Sequence, residues 1–209
     1  SWARMDRVMT VKHVPYRPRR LVNIRKHVDG AWFWDRYSAY PYVGCQFGCA
    51  YCYCREQKYG MAARHRAAGM ADPFSQLVSV KENAAQLARK ELARLPRDIV
   101  MTGDYQPAER RYRLSREILN VCLDLGFPVL ILEKSPSVLQ DLDLIGEINR
   151  RSWACVLFSI AHPVSNGYKG IFEPMAPSIE SRFGAMRTIS EAGIPTGTAF
   201  MPILPFVLD

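Results

Sequence analysis

Two rhythms of apolar residues alternate along the second half of the chain. Short apolar-rich runs at 98–102, 128–132, 154–160 and 195–201 are bounded by Gly, Pro or polar residues, as in strands buried on both faces. Between them, apolar residues return at helical spacing. One stripe is Leu114, Ile118, Leu119, Cys122 and Leu125, closed by Gly126. The next is Val138, Leu139, Leu142, Ile145 and Ile148, and the last is Ile179, Phe183, Met186 and Ile189, ending at Gly193. Upstream, residues 37–43 read as a strand and 76–81 as a short extended piece. Asn83 is placed to cap a helix running to about Leu95, with Ala84, Leu87, Ala88, Leu92 and Leu95 on one face. The polar, basic stretch 55–72 reads as loop with a short helix.

Strands alternating with helices through short connections predict βα units and a parallel sheet. A full eight-stranded barrel takes about 250 residues, and five strands are counted here. The expected fold is therefore α/β, a partial (open) parallel β/α barrel over residues 37–209, preceded by a basic arm over 1–36. The last predicted strand stops eight residues before the end and the chain opens without Met, so the barrel is expected to be truncated after its fifth strand.

Composition narrows the class. With 48% hydrophobic and 23% charged residues the chain is globular rather than disordered. No apolar run approaches the roughly 18 to 20 residues of a bilayer span, and no signal-type apolar segment follows the basic start. A soluble, cytoplasmic protein with no membrane partner is the expectation. The net charge of +8 is uneven: residues 1–36 hold nine Lys or Arg against three Asp, an excess of +6. Such an arm, interleaved with Trp32, Phe33 and Trp34, either meets nucleic-acid phosphates and bases or is a covering segment whose rings pack inside.

The cysteines change the picture most. Cys45, Cys49, Cys52 and Cys54 fall within ten residues, whereas Cys122 and Cys155 stand alone in apolar stretches. A disulfide framework would spread its pairs, so the cluster points to a metal or redox site in a reducing compartment. Cys45, Cys49 and Cys52 form a C-x3-C-x2-C loop, with Gly44 and Gly48 permitting its turns. Three soft thiolates can wrap one soft-metal centre and leave one metal position open. Tyr42, Phe47, Tyr51 and Tyr53 around the loop would keep water away. Two other readings stay open: a structural zinc site closed by Cys54, giving a non-enzymatic nucleic-acid or interaction module, and dithiol redox chemistry at Cys49 and Cys52. The single residue between Cys52 and Cys54 suits zinc pairing poorly, and the dithiol leaves Cys45 unused. Polar residues also gather at the strand ends, where parallel α/β folds bind ligands: Thr102-Gly103-Asp104, Glu133-Lys134-Ser135, and Ser159 with His162.

At the cysteine loop, with an aromatic before the third cysteine, the sequence resembles the radical SAM superfamily. A longer set resembles its spore photoproduct lyase-like branch, often labelled DNA repair photolyases. That set runs from Pro41 to Tyr53, then Thr102-Gly103-Asp104-Tyr105-Gln106-Pro107-Ala108-Glu109, Glu133-Lys134-Ser135, Asp141-Leu142-Asp143, and Phe172-Glu173-Pro174-Met175-Ala176-Pro177 with Arg182. The resemblance implies a 4Fe-4S cluster on Cys45, Cys49 and Cys52, and S-adenosylmethionine on its fourth iron. One electron from an external flavodoxin- or ferredoxin-type reductant would cleave that cofactor to methionine and a 5'-deoxyadenosyl radical. By position it places Tyr51 beside the adenine and Thr102, Gly103 and Asp104 at the amino end of the cofactor. Lys134 falls near its carboxylate, and Ser159 near its ribose or carboxylate. Glu173 and Arg182 match branch positions and are expected as an ion pair. It implies a lyase, with damaged DNA or another nucleic acid as the candidate substrate, and it assigns no catalytic side chain. Three positions depart from the branch pattern: Cys54 replaces a small or apolar residue, Gln140 replaces an Arg before Asp141, and no Gly follows Pro205.

Overall fold

A computed structural model describes residues 11–25, 35–55, 70, 72–164 and 167–207. The chain forms nine strands there: β1 (Lys12–Tyr16), β2 (Asn23–Ile24), β3 (Tyr37–Ala39), β4 (Tyr42–Val43), β5 (Leu77–Lys81), β6 (Val100–Thr102), β7 (Val129–Glu133), β8 (Ala154–Ser159) and β9 (Thr196–Ala199). The larger sheet has the order β2-β3-β6-β7-β8-β9. Its last five strands run parallel, and β2 is an antiparallel edge. This mixed α/β architecture with a parallel sheet is what the alternation predicts.

The helices are α1 (Pro73–Gln76), α2 (Ala84–Leu92), α3 (Glu109–Tyr112), α4 (Leu114–Leu125), α5 (Leu142–Arg151), α6 (Tyr168–Phe172) and α7 (Ile179–Glu191). Ala88 and Leu92 of α2, with Ile118, Leu119 and Cys122 of α4, join Val100, Val129, Ile131, Val156 and Phe158 of the strands in one buried core. At about 25 cal/mol per Å2, each Val, Leu, Ile or Phe among them contributes roughly 1.5 to 3 kcal/mol of burial. Gly126 closes α4 in the left-handed conformation, φ 70°, as its position after the stripe predicts.

Several elements differ from expectation for identifiable reasons. The strand expected over 37–43 is two strands in two sheets: β3 lies parallel to β6, and β4 runs antiparallel to β5. Pro41 separates them; it has no N–H for a ladder, and its carbonyl accepts from the Lys81 N–H instead. The expected helix from Val138 begins as a 3-10 turn, Pro136–Asp141, capped by the Ser135 hydroxyl, before α5 takes over. Asn83 does precede α2, but its amide donates to the Pro18 carbonyl at 3.1 Å and caps nothing, and the helix ends at Leu92. In α7 the buried stripe is rotated: Arg182 is fully buried while Phe183 is 46% exposed.

Part of the basic segment is built into the fold. β1 pairs in parallel with β5, and the backbone N–H groups of Leu21 and Val22 donate to the Glu91 carboxylate of α2. Trp32, Phe33 and Trp34, and most of the loop expected over 55–72, lie outside the described residues. Among the described residues no helix is long and apolar enough to cross a membrane.

Candidate functional site

The chain leaves β4 at Val43 and turns at Gly44, whose φ of +94° and 2.4 Å approach of a hypothetical Cβ to the Leu77 carbonyl oxygen exclude any other residue. The cysteine loop follows. The Cys45 N–H donates to the Phe74 carbonyl at 3.0 Å, the Gly48 N–H to Cys45 at 3.2 Å, and the Cys52 N–H to Cys49 at 3.3 Å. Its other side is fastened by Ala50 N–H to Phe172 at 2.9 Å and by Met175 N–H to Phe47 at 3.3 Å. Gln46 and Gln106 stitch the loop to the turn after β6. The Gln46 N–H donates to the Gln106 side-chain oxygen, that side chain donates to the Gly44 carbonyl, and the Gln46 side-chain oxygen accepts from the Ala108 N–H.

Cys45, Cys49 and Cys52 thereby share one apolar cluster with Phe47, Tyr51 and Ala176. Their thiols are not alike. Burial, with Asp104 nearby, pushes Cys45 up; burial also raises Cys49, against the pull of the Lys134 charge. Cys52 is lowered to about 6, chiefly by a hydrogen bond from Cys54, with Lys134 and Arg55 adding to it. The same bond and burial push Cys54 up, since it keeps the proton. Among the described residues no three His, Cys, Asp or Glu side chains converge where a single metal ion would be held.

Beside the loop, the carboxyl ends of the parallel strands carry a polar rim. Lys134 donates to the Ser159 hydroxyl at 2.8 Å, lies 3.8 Å from Glu173, and sits 5.6 Å from the Tyr51 ring centre. Ser159 in turn donates to the Met201 carbonyl at 2.8 Å. Glu173 is the hub. It accepts from the Tyr51 hydroxyl and from Arg182, and His162 Nε2 lies 3.5 Å away. Arg182 also donates to the carbonyls of Ser159 and Pro177, both at 2.7 Å. Burial opposes the charge on Glu173, yet Arg182 and Lys134 hold its carboxyl below the usual value.

The other expected contacts sit a short way off. Thr102 spends its hydroxyl on the Ala39 carbonyl at 2.6 Å and is fully buried. Gly103, φ +91°, has room for no Cβ, which would stand 2.9 Å from the Ile131 side chain. The half-buried Asp104 accepts from Gln106 at 3.1 Å; burial and then Glu133 push its carboxyl well above the carboxylate range. Glu133 caps three backbone N–H groups, those of Tyr105, Lys134 and Ser135, and burial pushes it up to about 7.

The structure thus brings Cys45, Cys49, Cys52, Tyr51, Lys134 and Ser159 into one connected region, while Thr102 belongs to the sheet interior. The ion pair expected of Glu173 and Arg182 forms. Its link to Tyr51 and His162 was not legible in the sequence, although a charged residue three positions after Ile179, on an apolar stripe, is a signal of it. Arg55 and Asp72, which grip the cysteine loop from outside, carry no such signal.

No protein-family model matches the chain. An uncharacterized protein of Methanocaldococcus jannaschii is 31% identical over 179 residues, covering 83% of this chain and 62% of that protein. One of Mycobacterium tuberculosis is 29% identical over 180 residues, 83% of this chain and 51% of that protein. The chain therefore spans about half to three-fifths of the length of these relatives. A structure of spore photoproduct lyase complexed with dinucleoside spore photoproduct superposes with a TM-score of 0.62 at 19% identity, covering 92% of this chain and 52% of that one. A spore photoproduct lyase mutant with bound AdoMet and dinucleoside spore photoproduct superposes with a TM-score of 0.56 at 18% identity, covering 86% of this chain and 50% of that one. The chain shares their fold.

Proposed function

We propose that this chain carries the core of a radical SAM enzyme, a partial parallel barrel over residues 37–209 that holds a 4Fe-4S cluster on Cys45, Cys49 and Cys52. The observation that carries the reading is the packing of these three thiols into one apolar cluster beside Lys134, at the carboxyl edge of a parallel sheet. The donor set fits the group. Thiolates are ligands that iron-sulfur centres use, and the three thiols lie together in one apolar cluster. Bound there and reduced, the cluster supplies the electron that cleaves S-adenosylmethionine to methionine and a 5'-deoxyadenosyl radical.

The remaining steps belong to the chain. Lys134 offers a charge-assisted hydrogen bond to the carboxylate of the cofactor's methionine end, and Ser159 holds the ammonium in place until then. Asp104 and the backbone of Thr102 and Gly103 face the opposite, amino, end. Tyr51, fixed by its hydroxyl to Glu173, offers a ring to the adenine, and with Phe47 and Ala176 it excludes water. The reductant is an external flavodoxin- or ferredoxin-type carrier in a cytoplasmic, reducing compartment. A nucleic acid is the substrate class, with lyase chemistry in DNA repair; the fold shared with a lyase complexed with a dinucleoside spore photoproduct supports that choice, as does the +6 excess of residues 1–36.

The test is anaerobic reconstitution with iron and sulfide, followed by dithionite, S-adenosylmethionine and a substrate panel that includes UV-damaged DNA. The expected results are bound iron, 5'-deoxyadenosine in the product mixture, and loss of both in the Cys45→Ala/Cys49→Ala/Cys52→Ala variant. Protein that takes up zinc but no iron, or a triple variant that still assembles the cluster, overturns the reading.

A further inference from the structure

Three carbonyls of the cysteine loop converge on one residue outside the cysteine motif. The Arg55 backbone N–H donates to the Cys52 carbonyl at 3.0 Å, its Nε to the Cys49 carbonyl at 2.8 Å, and its Nη2 to the Gly48 carbonyl at 2.9 Å. The guanidinium is itself held by both oxygens of Asp72, at 2.8 and 3.1 Å, and lies 4.5 Å from the centre of the Phe74 ring. Asp72 is fixed in turn: the Ser75 hydroxyl donates to it at 2.6 Å, and its backbone N–H donates to the Gln76 side-chain oxygen at 3.0 Å. The Phe74 carbonyl receives the Cys45 N–H. The planar cation therefore ties the Gly48 and Cys49 carbonyls in the middle of the loop to the segment that leads into β5, while the Arg55 backbone holds the end of the loop and Phe74 its start.

We propose that Arg55 and Asp72 are positioning residues for the cysteine loop: the guanidinium holds the loop in its ligating shape before any cluster binds, and the balance of the two charges tunes the reduction potential of the bound cluster. Only a fork with several fixed donors can satisfy carbonyls pointing in different directions, which a lysine ammonium on a flexible stem does not match. The electrostatic part follows from sign. Reduction adds negative charge, so a fixed cation beside the loop favours it and a nearby carboxylate opposes it. Removing the cation leaves Asp72 alone and makes reduction harder, whereas neutralising Asp72 leaves the cation unopposed and makes it easier. The potential arm rests on the cluster reading of Cys45, Cys49 and Cys52; the shape arm does not.

Two measurements on the whole chain test this. In the metal-free protein, amide hydrogen exchange over residues 45–52 should quicken about tenfold in both Arg55→Gln and Arg55→Lys, the factor expected from losing one charge-assisted hydrogen bond, while exchange in the sheet core stays unchanged. In the reconstituted protein, the midpoint potential should fall in Arg55→Gln, rise in Asp72→Asn, and return toward the wild-type value in Arg55→Lys. A purely structural contact would shift both single variants the same way or not at all. Unchanged loop exchange in Arg55→Gln, or potentials of Arg55→Gln and Asp72→Asn displaced in the same direction, overturns the proposal. If Arg55→Gln fails to fold, Arg55→Lys serves the exchange test and Asp72→Asn alone serves the second, where a potential unchanged or lower than wild type overturns the electrostatic arm. Failure of the wild-type chain to bind iron would sink the cluster reading, and the exchange measurement would still judge the clamp.

Discussion

Two ion pairs flank the cysteine loop, and they do opposite kinds of work. On the inner side Glu173 and Arg182 are both 0% exposed, and the Tyr51 hydroxyl and the carbonyls of Ser159 and Pro177 bond to the pair. On the outer side Arg55 and Asp72 are 28% and 34% exposed, and water shares in their solvation. Desolvating two charges costs several kcal/mol each, which the inner pair offsets through its own attraction together with Tyr51, Lys134 and two backbone carbonyls. The outer pair gains little from its own attraction, as half-exposed pairs do. Its value lies in where it puts the Gly48 and Cys49 carbonyls. Burial thus makes one pair energetically decisive, while geometry makes the other functionally decisive.

The largest effect should come from breaking the inner pair. Arg182→Met leaves a buried carboxylate without its main partner and is expected to cost about 3 to 5 kcal/mol, read as a lower urea midpoint. Adding Glu173→Leu should recover part of that loss, and a double-mutant cycle gives the coupling energy. Additive losses would show that the pair is not a unit.

A second contrast lies between the two buried glutamates of the rim. Glu133 keeps its proton up to about 7 in the folded chain against an ordinary value of 4.5. The unfolded chain releases that proton first, so stability should fall as the pH rises from 4.5 through 7, by at most about 1.4 kcal/mol per pH unit. Glu173 has the opposite sign: its folded value lies below 4.5, so its contribution is present above 4.5 and is lost as the pH falls through the folded value. Urea titrations across pH 4 to 8 should therefore show Glu133→Gln flattening the upper part of the profile. A variant profile parallel to wild type would mean that Glu133 is ionised throughout.

Lys134 tests whether the rim reaches a ligand. Lys134→Ala should weaken S-adenosylmethionine binding at least about tenfold, the loss of one charge-assisted hydrogen bond, while bound iron stays at the wild-type level. An unchanged dissociation constant would confine Lys134 to its internal bond with Ser159. The smallest effect should be that of Asp72→Asn on stability, under about 1 kcal/mol. A loss as large as that of Arg182→Met would erase the contrast between the two pairs.

Much of the architecture was written in the linear order of residues. A parallel sheet must bury both faces of its strands, and for that reason the run at 128–132 is apolar throughout and that at 154–160 is apolar but for Ser159 at the strand end; they form β7 and β8 within a residue of their expected ends. The gathering of Cys45, Cys49 and Cys52 into one cluster was equally legible, because residues three and four apart stay close when glycines turn the backbone between them. What the sequence left undecided depends on the path of the chain. Pro41 moved the run at 37–43 into two sheets, since a missing N–H matters only once a neighbouring strand is placed to accept it. Arg182 faces inward and Phe183 outward because Glu173 waits at the position where α7 meets the strand ends; periodicity alone favours the reverse. Tyr51 and Glu173 are 122 residues apart, and β1 pairs with a strand about 65 residues away. Side-chain type sets what each residue requires, but a buried charge finds its partner only when folding brings distant segments together, and that choice belongs to the tertiary structure.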